Sequence, residues 1–193
     1  MDETSWVDVI RGWVQDPDQV FADLARDVPW RQGTTWRYDH AEPENRLSAM
    51  GKPGTHAALR EATRELSAGY GVSFDGPALY FYQHGGHAMG MHRDREMRWL
   101  EQTVIGVLSL GLQRPFLVSP RGSRPGDLSK AIDLFPASGD LIVMGGRAQA
   151  DWLHGVPAVV SRQGRISAQW RWTSKTGRPE KGPGYYAPRH YSR

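Results

Sequence analysis

Residues 165–172 read Arg-Ile-Ser-Ala-Gln-Trp-Arg-Trp, with polar and apolar side chains alternating without a break. Successive side chains on a strand point to opposite faces. This run therefore predicts a β-strand with Ile166, Ala168, Trp170 and Trp172 on a dry face and Arg165, Ser167, Gln169 and Arg171 on a cationic one. The dry face needs a covering layer. The cationic face either meets solvent, as one face of an antiparallel sheet commonly does, or looks into an enclosed site. In the second case each guanidinium can grip a carboxylate through two N–H donors, and a dicarboxylic cosubstrate beside a metal is a natural ligand.

That strand closes a series. From Pro77 onward, short β-like runs fall near 78–83, 89–94, 103–111, 115–119, 131–135, 140–145, 152–156 and 164–172. Gly, Pro, Ser and Asp punctuate them, as at 120–127 and 136–139. The chain has 22 Gly and 13 Pro in 193 residues, above the usual combined share of about 12%, which suits many short elements. Two helices precede the strands. Asp16-Pro17 forms an N-cap and N1 pair, with Val20, Phe21, Leu24 and Val28 at helical spacing. A second helix is expected over 55–68, with Ala58, Leu59, Ala62 and Leu66 on its apolar face and Gly69 and Gly71 to stop it. Residues 30–54 read as irregular. The expectation is α+β, mostly β: a sandwich or jelly-roll core with N-terminal helices packed outside it.

Several classes are excluded early. The longest apolar runs, Val104–Leu110 and Leu141–Met144, fall far short of the ~20 residues of a membrane span, so no membrane partner is expected. The opening Met-Asp-Glu-Thr-Ser has neither the basic nor the apolar region of a secretory signal. No cysteine is present, which removes disulfides, thiolate metal sites and a cysteine nucleophile together and fits a cytoplasmic protein. The net charge of +3 is uneven: residues 1–96 hold 10 Lys and Arg against 15 Asp and Glu, and residues 97–193 hold 14 against 6. A basic half suggests a polyanionic partner such as nucleic acid.

The densest chemistry lies in His84-Gly-Gly-His87-Ala-Met-Gly-Met-His92-Arg-Asp94. On a strand, His92 and Asp94 face the same way. An imidazole beside a carboxylate makes two thirds of the two-His-one-carboxylate triad of non-haem iron(II) sites. The third ligand must come from a distant strand, and His154 lies late in the β region. His84 and His87, flanked by Gly85, Gly86 and Gly90, read as loop residues. A zinc hydrolase can use the same three groups. A pocket for an anionic cosubstrate separates the two chemistries.

In order along the chain come Tyr82-x-x-Gly85, His92-x-Asp94, Val107-Leu-Ser109-Leu-Gly111 and Arg114-x-Phe116. Gly139-Asp140-Leu-Ile-Val-Met-Gly145-Gly146, Trp152-x-His154-x-Val-Pro157 and Arg165-Ile-Ser-x-x-x-Arg171 follow. The series resembles the AlkB-like family of Fe(II)- and 2-oxoglutarate-dependent dioxygenases, over about half the chain. The resemblance implies a double-stranded β-helix with the metal at its open end. It implies His92, Asp94 and His154 as ligands to Fe(II). Arg165, helped by Tyr82, holds the distal carboxylate of 2-oxoglutarate, and Arg171 steadies Asp94 and the cosubstrate's other end. Where the family commonly has asparagines that contact 2-oxoglutarate, this chain has Tyr80 and Ser167. With O2, the implied reaction oxidises a substrate C–H bond as 2-oxoglutarate becomes succinate and CO2. On an N-methyl group it releases formaldehyde.

The resemblance divides residues 1–193 as one dioxygenase domain: 1–76 helical support and substrate lid, 77–174 catalytic jelly-roll, 175–193 C-terminal tail. It points to oxidative dealkylation of nucleobases in DNA or RNA, that is, alkylation repair; a monomer is favoured, though nothing in the sequence fixes the oligomeric state. Such chemistry needs a flipped or single-stranded base. Trp30, Trp36 and Tyr38 are candidates to stack on it, with Arg46, Arg93 and Arg95 as polar or phosphate contacts. Two other readings stay open: a hydroxylase of a small molecule or protein side chain, and a non-catalytic nucleic-acid-binding module.

Overall fold

The arginine-bearing strand takes the middle of the larger sheet, and the rest of the fold is arranged around it. The computed structural model describes residues 1–37, 40–50, 56–74, 76–94, 97–122 and 127–180, with the backbone alone at 35–37, 40–42 and 50. In chain order the elements are β1 (Ser5–Ile10), α1 (Pro17–Asp27), β2 (Arg31–Arg37), β3 (His40–Met50), α2 (Ala57–Tyr70), β4 (Ala78–Tyr82) and β5 (Met89–His92). Then follow β6 (Thr103–Gly111), β7 (Leu117–Pro120), β8 (Ile132–Asp133), β9 (Leu141–Gly146), α3 (Ala148–Asp151), β10 (Trp152–Val156) and β11 (Arg165–Thr173). One antiparallel sheet has the order β1-β9-β6-β11-β4-β3-β2, the other β5-β10-β7-β8. Two facing antiparallel sheets are the jelly-roll architecture expected.

The sheets and helices enclose two cores, and strand periodicity sorts residues between them. Leu108 and Leu110 of β6, Leu141 and Val143 of β9, and Ile166, Ala168 and Trp170 of β11 pack against Val20 and Leu24 of α1 and Leu59, Ala62 and Leu66 of α2. The alternate residues Ile105, Val107, Ile142 and Met144 turn inward and meet Val118 and Val156 of the smaller sheet and Phe116 just before β7. Strands β6 and β9 are buried on both faces, so their sequences run apolar without alternation. Strand β11 alternates because its inward face lines a polar site. Its outward Trp170 donates to Thr63 of α2 at 2.8 Å.

Helix α1 begins where expected, but Asp16 caps it by position only. Its backbone is left-handed (φ 47°), and its side chain makes no capping bond. Helix α2 runs past Gly69 and ends at Gly71, whose φ of 65° a residue without Cβ adopts freely. Two readings are corrected. Residues 31–37 and 40–50, expected to be irregular, form the paired strands β2 and β3, which extend the large sheet beyond β4. Residues 5–10 form the opposite edge strand against β9. Neither run alternates cleanly: β1 and β2 are the edges of the sheet, where side chains are free to be polar.

Asp140, in the turn before β9, ties the N-terminal segment to this frame. Its buried carboxylate accepts from Gly12 N and Ala137 N at 2.8 Å each and from Arg11 Nη1 at 2.6 Å. Burial alone would raise this carboxyl, but Arg11 and the two amides outweigh it and hold the carboxyl below its usual range. Asp140→Ala is expected to lower stability by about 2–3 kcal/mol, measured by urea unfolding at neutral pH. Because the folded value is depressed, the contribution is complete above the unfolded carboxyl value and disappears as pH falls through the folded one. Wild type and variant should therefore converge in acid.

Candidate metal and cosubstrate centre

Strand pairing between β5 and β10 sets His92 directly opposite His154, which brings side chains on one face together. Their rings lie 4.4 Å apart, centroid to centroid. Asp94 completes the cluster: its Oδ1 is 3.5 Å from His92 Nε2 and 4.0 Å from His154 Nε2. One donor atom from each residue falls within 4.8 Å of the others, and no other group of three or more metal-capable side chains does so among the described residues. Asp94 is not on the strand, however. β5 ends at His92, so the same-face geometry of a His-x-Asp strand does not apply, and tertiary contacts position the carboxylate instead.

The protonation states suit a metal. The His92 Nδ1 lies 2.9 Å from the Gly90 carbonyl. A carbonyl only accepts, so Nδ1 carries the hydrogen and the Nε2 lone pair faces the cluster. Burial, reinforced by His92, pushes His154 down to about 3, so this imidazole is neutral across the physiological range. The Phe116 ring stacks on it at 5.9 Å. Burial would raise the Asp94 carboxyl, but the Arg171 guanidinium, followed by the two histidines, holds it well below the usual range. Arg171 Nε donates to Asp94 Oδ2 at 2.7 Å, which leaves Oδ1 toward the imidazoles. Two imidazole nitrogens and one carboxylate oxygen match the donor set of a divalent first-row ion.

Along β11, six residues before Arg171, Arg165 is completely buried. Its Nη2 donates to Ser109 Oγ at 2.7 Å, while Nε and Nη1 have no hydrogen-bond partner among the described residues. Burial lowers its pKa to about 10, so it stays cationic. The strand register places Arg165 beside Tyr82 and Ser167 beside Tyr80. Arg165 Cζ lies 5.7 Å from the Tyr82 ring. The Ser167 hydroxyl is also buried, with no hydrogen-bond partner among the described residues. Buried donors with nothing to bond are costly, and a dicarboxylate meets that need. The cationic face of β11 thus looks inward, not to solvent.

The substrate candidates fare differently. Trp30 is on the wrong side of the sheet: its ring sits 5.2 Å from Phe81 and its Nε1 donates to Leu24 O at 3.2 Å, in the helix-side core. It is a core anchor, because Phe81 belongs to the outward set of β4. Arg46 is not a surface contact either. It is buried, lies 3.7 Å over the Tyr80 ring and donates to the Tyr82 hydroxyl at 2.9 Å. The pleat of β3 turns it inward beside the cosubstrate tyrosines. Arg93 points to the C-terminal segment and pairs with Glu180 at 2.7 Å. Trp36 is on β2, where only its backbone is described; Tyr38 and Arg95 lie outside the described residues.

His84 and His87 stay in the loop after β4, their rings 4.1 Å apart. Each Nδ1 accepts a backbone N–H, from Gly86 and Gln83 respectively. Arg114 is fully buried. Its Nη2 donates to the carbonyls of Gly85, His87 and Pro157, and its Cζ lies 5.4 Å from the Tyr82 ring. No periodicity marks Arg114, because it sits in the loop between β6 and β7. Tyr82 is thus flanked by Arg46, Arg114 and Arg165.

A jelly-roll with two histidines, one carboxylate and a buried inward arginine defines a class. The 2OG-Fe(II) oxygenase superfamily model matches residues 14–178, and the chain belongs to that family. Within the superfamily it is similar to AlkB homologues. It is 29% identical over 177 residues to the alpha-ketoglutarate-dependent dioxygenase alkB homolog 3 of Bos taurus, covering 82% of this chain and 62% of that one. The chain therefore spans less than two thirds of the length of that relative. Among solved structures, HygX of Streptomyces hygroscopicus, with nickel and 2-oxoglutarate bound, aligns with a TM-score of 0.62 at 11% identity. That alignment covers 93% of this chain and 87% of the other. A 2OG-Fe(II) oxygenase family oxidoreductase of Burkholderia pseudomallei aligns with a TM-score of 0.57 at 15% identity, covering 92% and 89%. Both structural likenesses establish the fold.

Proposed function

We propose that this protein removes alkyl groups oxidatively from nucleobases in DNA or RNA, as an alkylation-repair enzyme. His92, Asp94 and His154 would hold Fe(II), and Arg165 with Tyr82 and Ser167 the distal carboxylate of 2-oxoglutarate. Arg171 and Tyr80 would border the cosubstrate's metal-side end. Bound iron with O2 and 2-oxoglutarate supplies oxidation of a substrate C–H bond, coupled to loss of CO2 and formation of succinate. The protein's own work is placement. Arg171 orients Asp94, the Gly90 carbonyl fixes the His92 tautomer, and Phe116 and the inner core exclude water around His154.

The observation that carries this reading is Arg165: a buried cation whose Nε and Nη1 have no hydrogen-bond partner among the described residues, one strand-length from the arginine that grips Asp94. For the substrate, support comes from the likeness to alkB homolog 3, the basic C-terminal half and the β2–β3 hairpin. The hairpin lies next to β4, and its Asn45 side chain donates to Gly86 O at 3.4 Å in the loop before β5. That hairpin, rather than an irregular lid, would border the substrate, with Trp36 near the end of β2. No described helix is long and apolar enough to cross a membrane, and the cysteine-free composition suits the cytoplasm, the location we propose.

A second reading keeps the centre and changes the target to a small molecule or protein side chain. It is favoured by the loss of Trp30, Arg46 and Arg93 from the candidate substrate surface. Protein reconstituted anaerobically with Fe(II) and supplied with 2-oxoglutarate and O2 separates the two. Equal amounts of formaldehyde and succinate from N-methylated single-stranded oligonucleotides are expected. Succinate formed only with a free metabolite or peptide, and no formaldehyde from any DNA or RNA oligonucleotide, overturns the nucleobase reading.

A further inference from the structure

Asp94 lies beyond the end of β5, and its backbone N–H donates to a side chain, Gln149 Oε1, at 2.9 Å. Gln149 belongs to α3, five residues before His154. It is 1% exposed. One amide therefore joins the segment that bears Asp94 to the segment that bears His154. The orientation of that amide is set by chemistry: a backbone N–H can only donate, so the carbonyl end must face it. This leaves Gln149 Nε2 buried with no hydrogen-bond partner among the described residues. A methionine fills similar volume without such an orphan. An amide kept here at that cost is explained by the need for its acceptor.

Two contacts then hold Asp94 from different sides. Arg171 Nε takes Oδ2 and Gln149 takes the main chain, so Oδ1 is aimed at both imidazoles. We propose that Gln149 is a positioning residue of the metal centre, setting the place of Asp94 relative to His154 and, through it, the affinity for the divalent ion. The proposal rests on the reading of His92, Asp94 and His154 as ligands. Changes to groups that orient metal ligands commonly weaken metal binding about 10–100-fold.

The test uses full-length protein titrated with Co(II) in the absence of 2-oxoglutarate, read by calorimetry and by the visible absorption of the bound ion. Wild type should bind one Co(II). Gln149→Met should bind it about ten-fold or more weakly, with shifted absorption bands and an unchanged circular dichroism spectrum. Gln149→Glu, which keeps an acceptor toward Asp94 N–H, should stay within about three-fold of wild type. Wild-type affinity and spectrum in Gln149→Met overturn the proposal, as does a Gln149→Glu variant as weak as Gln149→Met. If Gln149→Met does not fold, Gln149→Asn, one methylene shorter, gives the same reading: weakened binding supports the role, and wild-type binding ends it. Asp94→Ala in the same titration tests the ligand assignment separately, since undiminished binding there removes the premise whatever Gln149 does.

Discussion

Asp94→Ala is expected to lower 2-oxoglutarate turnover by more than about a thousand-fold, because it removes the only anionic donor of a three-residue metal site. Asp94 Oδ1 faces both imidazoles, and Oδ2 receives Arg171 Nε at 2.7 Å. The substitution therefore deletes a donor and also takes a buried guanidinium away from its carboxylate. Breaking a buried pair costs about 3–5 kcal/mol, so thermal unfolding must accompany the assay. The sharper comparison is Asp94→Asn, which keeps the shape and loses the charge. Succinate produced per enzyme under saturating Fe(II) is the measurement, and retention of a tenth of wild-type turnover by folded Asp94→Ala would show that the ion is held elsewhere.

Arg165→Ala should act on cosubstrate binding and much less on the step that follows. Arg165 is buried and cationic, and Nε and Nη1 have no partner among the described residues. A carboxylate brought there loses water and gains charge-assisted hydrogen bonds. Removing the cation leaves the carboxylate desolvated and unmatched, a loss of about 2–5 kcal/mol for a buried charged pair. KM for 2-oxoglutarate is expected to rise about 100-fold or more, with a smaller change in kcat. Arg165→Lys should recover part of this, since an ammonium supplies the charge but not the planar fork. An unchanged KM in Arg165→Ala would assign the distal carboxylate to Arg46 or Arg114, which flank the same tyrosine.

The residues legible in advance were those whose chemistry and spacing are both local. Strict alternation in 165–172 marked β11 and its two faces, and those faces are as read: Trp170 under the helices, Arg165 and Arg171 inward. The continuous apolar runs at 104–110 and 141–144 marked strands covered on both sides. Readings that depended on which side of a sheet a single side chain takes were less secure. Trp30 and Arg46 are neighbours of the same hairpin, yet one packs against Phe81 in the outer core and the other lies over Tyr80 in the inner site. An edge hairpin without clean alternation leaves that choice to its partner strand.

The amino-acid order by itself determined the fold class, the His-x-Asp pair, the distant His154 and the arginines of β11, because periodicity and ligand chemistry are properties of short segments. Only the tertiary structure decided how Asp94 is held, since it stands outside β5 and depends on Arg171, 77 positions later, and on Gln149, 55 positions later. It likewise buried Arg46 and Arg114 around Tyr82. Cross-strand register and loop packing bring such residues together, and neither is written in the spacing of any one segment.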